Sequence, residues 1–187
     1  MPTREEKVLA FAKPYFESGR VGDWDHAHRV ARWVRELAAN RKDKEVLTVA
    51  AYLHDVGWYG VAPRGKLNFG EMLKLEATAS QNTAPLIEKI MRLAGYGKNN
   101  IDTVIRLAEA VNRHASKSED EAVLLDADNL SKLSPQHLEE KYDKGSWKEV
   151  IESWEKEFPS QIKTLRAKEL YPSMLADLRK KYLESGN

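Results

Sequence analysis

Five histidines, and acids set in apolar surroundings, are the residues of this chain best suited to chemistry. The histidines are His26, His28, His54, His114 and His137, and helical phase sorts them. His26 lies four residues before Val30 and eleven before Leu37, on the border of an apolar stripe. His28 shares its face with Arg32 and Arg35 and is expected to point to water. His54 follows Leu47 and Ala50 in a segment apolar on nearly every side. His114 extends the stripe of Leu107 and Val111, whereas His137 sits in a polar, proline-led stretch and reads as a surface residue. Asp55 follows His54 directly, inside VAAYLHDVGW. A buried carboxylate without compensation costs several kcal/mol or is forced neutral, so a cation or a basic side chain must face it. Asp126 and Asp128, in LLDADNL, pose the same question on another helix. Acids in apolar helices near core-facing histidines are what a buried divalent cation requires.

The elements that must position these groups are helical. Val30, Ala31, Val34, Leu37 and Ala38 recur at three- and four-residue steps, predicting a helix capped by Asp23 and running to about residue 40. Asp43 is expected to cap a second helix ending near Gly57, and its all-round apolarity puts it in the middle of a bundle. Residues 58–69 read as a loop. Helices are predicted over roughly 70–94, with a break near Asn82, and over 100–114 and 119–133. Trp147, Val150, Ile151, Trp154 and Phe158 form a further stripe, read as a packing face, with Pro159 and Pro172 expected to separate the last helices. No strand-like alternation persists, so the fold class is all-α, a bundle of roughly seven to nine helices.

Composition narrows the class. The chain has 187 residues, close to the usual size of one domain, and a single unit over 1–187 is expected, its core at about 15–135 and the helices of 136–187 packed on it. Charged residues make up 32% yet cancel to a net +1, which gives no strong nucleic-acid or membrane-surface signal. Cysteine is absent, which excludes a thiolate nucleophile and Cys-based zinc sites. No stretch reaches the roughly 20 apolar residues of a membrane span, and a cytoplasmic location is expected.

DHAHRV at 25–30, LHDVG at 53–57 and DADNL at 126–130 together resemble the HD-domain superfamily, whose signature is a histidine, an adjacent His-Asp pair and a distant aspartate. The resemblance assigns His26, His54, Asp55 and Asp128 as metal ligands; periodicity alone leaves Asp126 and Asp128 equal. It implies a helical core, a divalent metal and hydrolysis of phosphoester or phosphoanhydride bonds. A Gly-His-Asp run found in some members is missing its histidine, because Gly22 stands there, and a downstream His-Glu pair is replaced by Leu75-Glu76. Those departures favour one metal ion over two. A mixed nitrogen and oxygen set suits Mn, Fe, Co, Ni or Zn better than Mg. Such an ion would activate water and hold a phosphoryl oxygen, with Asp55 able both to ligate and to take the proton.

Around that centre, Glu76 is either a general base or an exposed helix residue, and His114 either lines the pocket or packs in the core. Asp23 is read first as an N-cap and second as a group orienting His26. Arg29, Arg64 and Lys66 are candidate phosphate contacts, set against ordinary surface charge. The expected partner is a small phosphorylated substrate, a nucleotide above all, with a homodimer open. The rival readings are an HD-fold lyase or oxygenase, and a non-catalytic module stabilised by its metal.

Overall fold

The computed structural model describes residues 1–184. Nine α-helices are present among the described residues, with no strands beyond a single bridge between Leu67 and Tyr142. They are α1 (Arg4–Glu17), α2 (Asp23–Leu37), α3 (Lys44–Leu53), α4 (Phe69–Leu93), α5 (Lys98–Asn112), α6 (Glu119–Lys132), α7 (Pro135–Lys141), α8 (Trp147–Gln161) and α9 (Leu165–Arg179). Short 3₁₀ turns follow α3 at Val56–Trp58 and α7 at Lys144–Ser146, and a π turn, Lys180–Glu184, extends α9.

Local chemistry sets several of these boundaries. Thr3 and Glu6 form a capping box that starts α1, while Asn68 caps α4, Ser134 caps α7 with Pro135 in its first turn, and Thr164 caps α9. Two predicted caps differ. Gly22, in the left-handed conformation at φ 77°, occupies the cap position of α2, and Asp23 is instead buried in the first turn, paired with Arg20 and Lys141. Asp43 precedes α3, but its carboxylate is held by Arg41 at 2.9 Å and caps nothing.

The α4 helix runs without a break at Asn82 and carries Pro85 inside it. Pro159 and Pro172 likewise lie within α8 and α9, so the chain turns at Ile162 and Lys163 instead. Proline disfavours helix in the residue before it, yet burial of Trp154, Phe158 and Ile162 on both sides of Pro159 outweighs the lost hydrogen bond.

Two apolar clusters make up the core. One joins α1, α2, α3, α5, the second half of α4 and the start of α6, through residues such as Val30, Leu53, Ile87 and Leu107. The other joins Trp58, the start of α4, the end of α6, and α7 to α9, through Leu130, Leu138, Ile151 and Leu175. Every residue from Glu121 to Ser131 is buried, because α6 passes between the two clusters. Ile151 and Trp154 of α8 are buried, and Trp147 is half-buried with its ring 4.9 Å from that of Tyr182. The positions where α2, α3 and α6 meet are therefore dry, and polar side chains placed there must satisfy one another.

Candidate metal centre and its cavity

His26 projects from the first turns of α2, His54 ends α3, Asp55 opens the following 3₁₀ turn, and Asp128 lies midway along α6. Sequence distance vanishes here: His26 Nε2 is 3.0 Å from Asp128 Oδ1, and His54 Nε2 is 3.5 Å from the same oxygen. His26, His54 and Asp128 each offer a ligand atom within 4.8 Å of the others. Asp55 Oδ2 approaches the two histidines at 3.6 and 3.5 Å, while also pairing with Arg20 at 2.8 Å.

The donor set fits a transition metal, and the decisive atom is His54 Nε2. His54 Nδ1 lies 2.8 Å from the Ala51 carbonyl oxygen, which can only accept, so Nδ1 carries the proton. Nε2 faces Asp55 Oδ2 and Asp128 Oδ1, each at 3.5 Å, yet this fully buried atom has no hydrogen bond of good geometry. Burial alone would lower the pKa of the ring, but the two carboxylates raise it, so a positive charge at Nε2, from a proton or a metal ion, is favoured there. An orphan of this kind is costly unless an electrophile meets it, and a backbone carbonyl on the far nitrogen is how metal-bound histidines are oriented. His26 is held similarly, with Nδ1 3.0 Å from Ser131 Oγ, three residues beyond Asp128 on the same helix.

Cations surround this group, and sequence reasoning missed all of them. Arg20 lies 4.1 Å over the Trp58 ring and pairs with Asp23 and Asp55. Lys141, 2% exposed, contacts Asp23 at 2.5 Å and Asp55 at 3.5 Å. Lys132 Nζ is 2.6 Å from Asp128 Oδ2, an oxygen with no hydrogen bond of good geometry. Burial alone would raise the Asp55 and Asp128 carboxyls, but His54, Arg20 and Lys141 hold Asp55 far below the usual range, and Lys132 and His26 do so for Asp128. Both carboxyls are therefore held in the ionised form. Asp23 differs, since its burial outweighs Arg20 and Lys141 and leaves its carboxyl raised.

His137 is the other omission. It is buried, not a surface residue; its ring is 4.6 Å from that of His26 and its Nδ1 is 3.2 Å from His26 Nδ1. Burial and the nearby Lys141 push its pKa well down, so it sits there neutral. His137, Leu138 and Lys141 share the buried face of α7, a spacing that the sequence contained.

Of these groups, Arg20, His54, Asp55, Asp128, Lys132, His137 and Lys141 line a cavity of about 200 Å³, whereas Asp23 and His26 do not reach it. Glu76 of α4 forms one wall, and burial raises its pKa. Trp154, Glu157 and Phe158 of α8 form the opposite wall, so the Trp stripe packs and lines the cavity at once. His114 stands at the rim, not on the helix it was expected to extend: α5 ends at Asn112, and His114 turns the chain at φ 52°.

The predicted phosphate contacts fall elsewhere. Arg29 is bound by Glu140 at 3.1 Å in a separate groove, because its position on α2 faces α7 and not the cavity. Arg64 and Lys66 are exposed in the loop before α4 and line no part of the cavity. His28 is half-buried between the rings of Trp24 and Tyr52, at 4.7 and 5.2 Å, and does not point freely to water. Asp126, fully buried, accepts hydrogen bonds from the backbone N–H groups of Lys163 (3.1 Å) and Thr164 (2.6 Å). It therefore ties the start of α9 to α6 and leaves Asp128 as the acid at the centre.

Comparison with known families matches residues 23–143 to the HD domain. That span covers well over half of the chain, and the protein belongs to the HD domain family. The match takes in α7, with His137 and Lys141, and stops before α8. Neither a comparison with curated proteins nor one with solved structures returns a match. HD domains are commonly metal-dependent hydrolases of the phosphohydrolase type, and His26, His54 and Asp128 could hold a divalent ion here. No described helix is long and apolar enough to cross a membrane.

Proposed function

We propose that this protein is a divalent-metal-dependent hydrolase of phosphoester or phosphoanhydride bonds, acting on a nucleotide or another small phosphorylated molecule. The observation that carries the reading is the buried, unpartnered His54 Nε2, with donor atoms of His26 and Asp128 within 4.8 Å, beside a cavity that His54, Asp128, Lys132 and Lys141 line. A lining that couples metal donors to ammonium groups selects an anion, and phosphate is the anion that a Lewis acid and water cleave.

His26, His54, Asp55 and Asp128 are the ligands in this reading, and one ion of Mn, Fe, Co, Ni or Zn suits them better than Mg. When bound, such an ion supplies a water of lowered pKa and polarises the phosphoryl group. Glu76 is the proton acceptor, since its raised pKa brings it nearer the range where a general base works best, while Asp55, held far below the usual carboxylate range, serves as a ligand. Phosphate positioning falls to cations of the cavity and not to Arg29, Arg64 or Lys66. A cavity of about 200 Å³ encloses a phosphate group with a small organic part and leaves the rest of a nucleotide at the mouth, among His114, Leu73 and Glu157. A metal serving only to stabilise the fold fits less well, because Asp23, Asp55 and Asp128 are already balanced by Arg20, Lys141 and Lys132.

A screen of nucleotides and generic phosphoesters, with each divalent metal supplied in turn, tests the proposal. Metal-dependent phosphate release that Asp55→Ala abolishes is the expected result. Wild-type protein that binds metal and cleaves none of them would refute it.

A further inference from the structure

Among the described residues, three cations, Arg20 and Lys141 buried and Lys132 half-buried, meet three carboxylates around the centre, and their pairings are unequal. Arg20 and Lys141 each hold both Asp23 and Asp55. If a divalent ion draws Asp55 into coordination, these two cations still share Asp23. Among the described residues, Lys132 has one carboxylate within ion-pair distance, Asp128, at 2.6 Å. That carboxylate is itself a metal ligand in the reading above, so metal binding takes away the partner of Lys132 and of no other cation. Lys132 stands one helical turn beyond Asp128 on α6, lines the cavity, and keeps 18% of its side chain exposed. A released ammonium there would still line the cavity that His54, Asp55 and Asp128 share.

Charge balance points the same way. The cations and carboxylates around the centre cancel, so a divalent ion leaves the site two charges positive, or one if Glu76 at the wall is ionised. A dry site with that excess favours an anion, and a phosphate dianion restores neutrality.

We propose that Lys132 is the phosphate anchor of this cavity, parked on Asp128 without metal and transferred to a phosphoryl oxygen once metal takes that carboxylate. The inference rests on the phosphohydrolase reading for its metal site, but it concerns binding and needs no turnover. Metal and phosphate then bind synergistically, since each favours the arrangement that the other needs.

The test is calorimetric titration of Mn²⁺ into the whole protein, and of inorganic phosphate into the Mn²⁺-loaded protein, for wild type, Lys132→Gln and Lys132→Arg. Lys132→Gln should bind Mn²⁺ as tightly as wild type or more tightly, because a competitor for Asp128 is gone. It should bind phosphate about tenfold more weakly or worse, and Lys132→Arg should restore most of that loss. Phosphate should tighten Mn²⁺ binding more in wild type than in Lys132→Gln. A Lys132→Gln protein that loses Mn²⁺ would make Lys132 a structural partner of Asp128 and overturn the proposal. So would unchanged phosphate affinity, or wild-type protein that binds no phosphate with Mn²⁺ present. Lys132-dependent phosphate binding in a protein that cleaves no phosphoester would remove the hydrolase reading and leave the anchor standing.

Discussion

Gly57 sets the position of Asp55, and replacing it with alanine should damage stability and the metal site together. The 3₁₀ turn Val56–Trp58 presses against α4 so closely that a Cβ on Gly57 would lie 2.1 Å from the Ala79 carbonyl oxygen and 2.4 Å from Thr83 Oγ1. Ordinary contact needs well over 3 Å, so the turn and the helix must part by roughly 1 Å or more. The obstacle includes backbone, and no rotamer change relieves it. Overpacking of this kind costs about 1–3 kcal/mol, and a backbone obstacle puts Gly57→Ala at the upper end. At about 2–4 °C per kcal/mol for a chain of this size, the melting temperature should fall by on the order of 6–12 °C. Asp55, two residues earlier, moves with the turn, so Mn²⁺ affinity should fall as well. Gly60 is the control: its φ of 71° penalises a side chain, yet a Cβ there meets nothing within 4 Å. Gly60→Ala should cost about 1–2 kcal/mol and leave metal binding intact. Thermal melts and Mn²⁺ titrations of both variants decide the matter. A Gly57→Ala protein that melts within a degree of wild type and binds Mn²⁺ normally would refute the close-approach argument.

Two further outcomes follow from pairings away from the cavity. Asp126→Ala strands the N–H groups of Lys163 and Thr164 and should cost about 2–3 kcal/mol in denaturant unfolding, while metal content stays at the wild-type level. Burial would raise the Asp120 carboxyl, but hydrogen bonds from Arg106 and Ser118 outweigh it and hold the pKa at about 2, below its ordinary 3.8. A depressed carboxyl stabilises the fold above its unfolded pKa and loses that contribution as pH falls through the folded one. Asp120→Asn, which leaves the Arg106–Glu121 pair in place, should therefore destabilise by at most about 1 kcal/mol at pH 7, given that Arg106 is 44% exposed, and the difference from wild type should fade as pH drops from about 4 toward 2.

How far the sequence revealed this site depends on which interactions place each residue. His26 and His54 were legible because helical phase set them on faces that the apolar pattern marked as buried. The choice of Asp128 over Asp126 was not legible from periodicity, since all of α6 from Glu121 to Ser131 is buried and phase distinguishes nothing there. What separates the two acids is the arrival of the α8–α9 turn on Asp126, a contact made 37 residues away. Arg20, Lys132 and Lys141 were overlooked for a related reason: burial of a cation depends on partners brought in from other elements. Arg29 shows the converse. Its place one turn beyond His26 suggested reach to the metal, but its side of α2 faces Glu140. Pro159 and Pro172 misled because local propensity was weighed without the packing of Phe158 and Leu178 that holds their helices.

Metal content after reconstitution tests the central claim most directly. Wild-type protein, His54→Ala and Asp126→Asn would each be loaded with Mn²⁺, desalted and assayed for bound metal by mass spectrometry. The buried, unpartnered His54 Nε2 predicts about one ion per chain in wild type and Asp126→Asn, and almost none in His54→Ala. Wild-type protein that retains no metal, or His54→Ala that retains as much as wild type, would contradict the account.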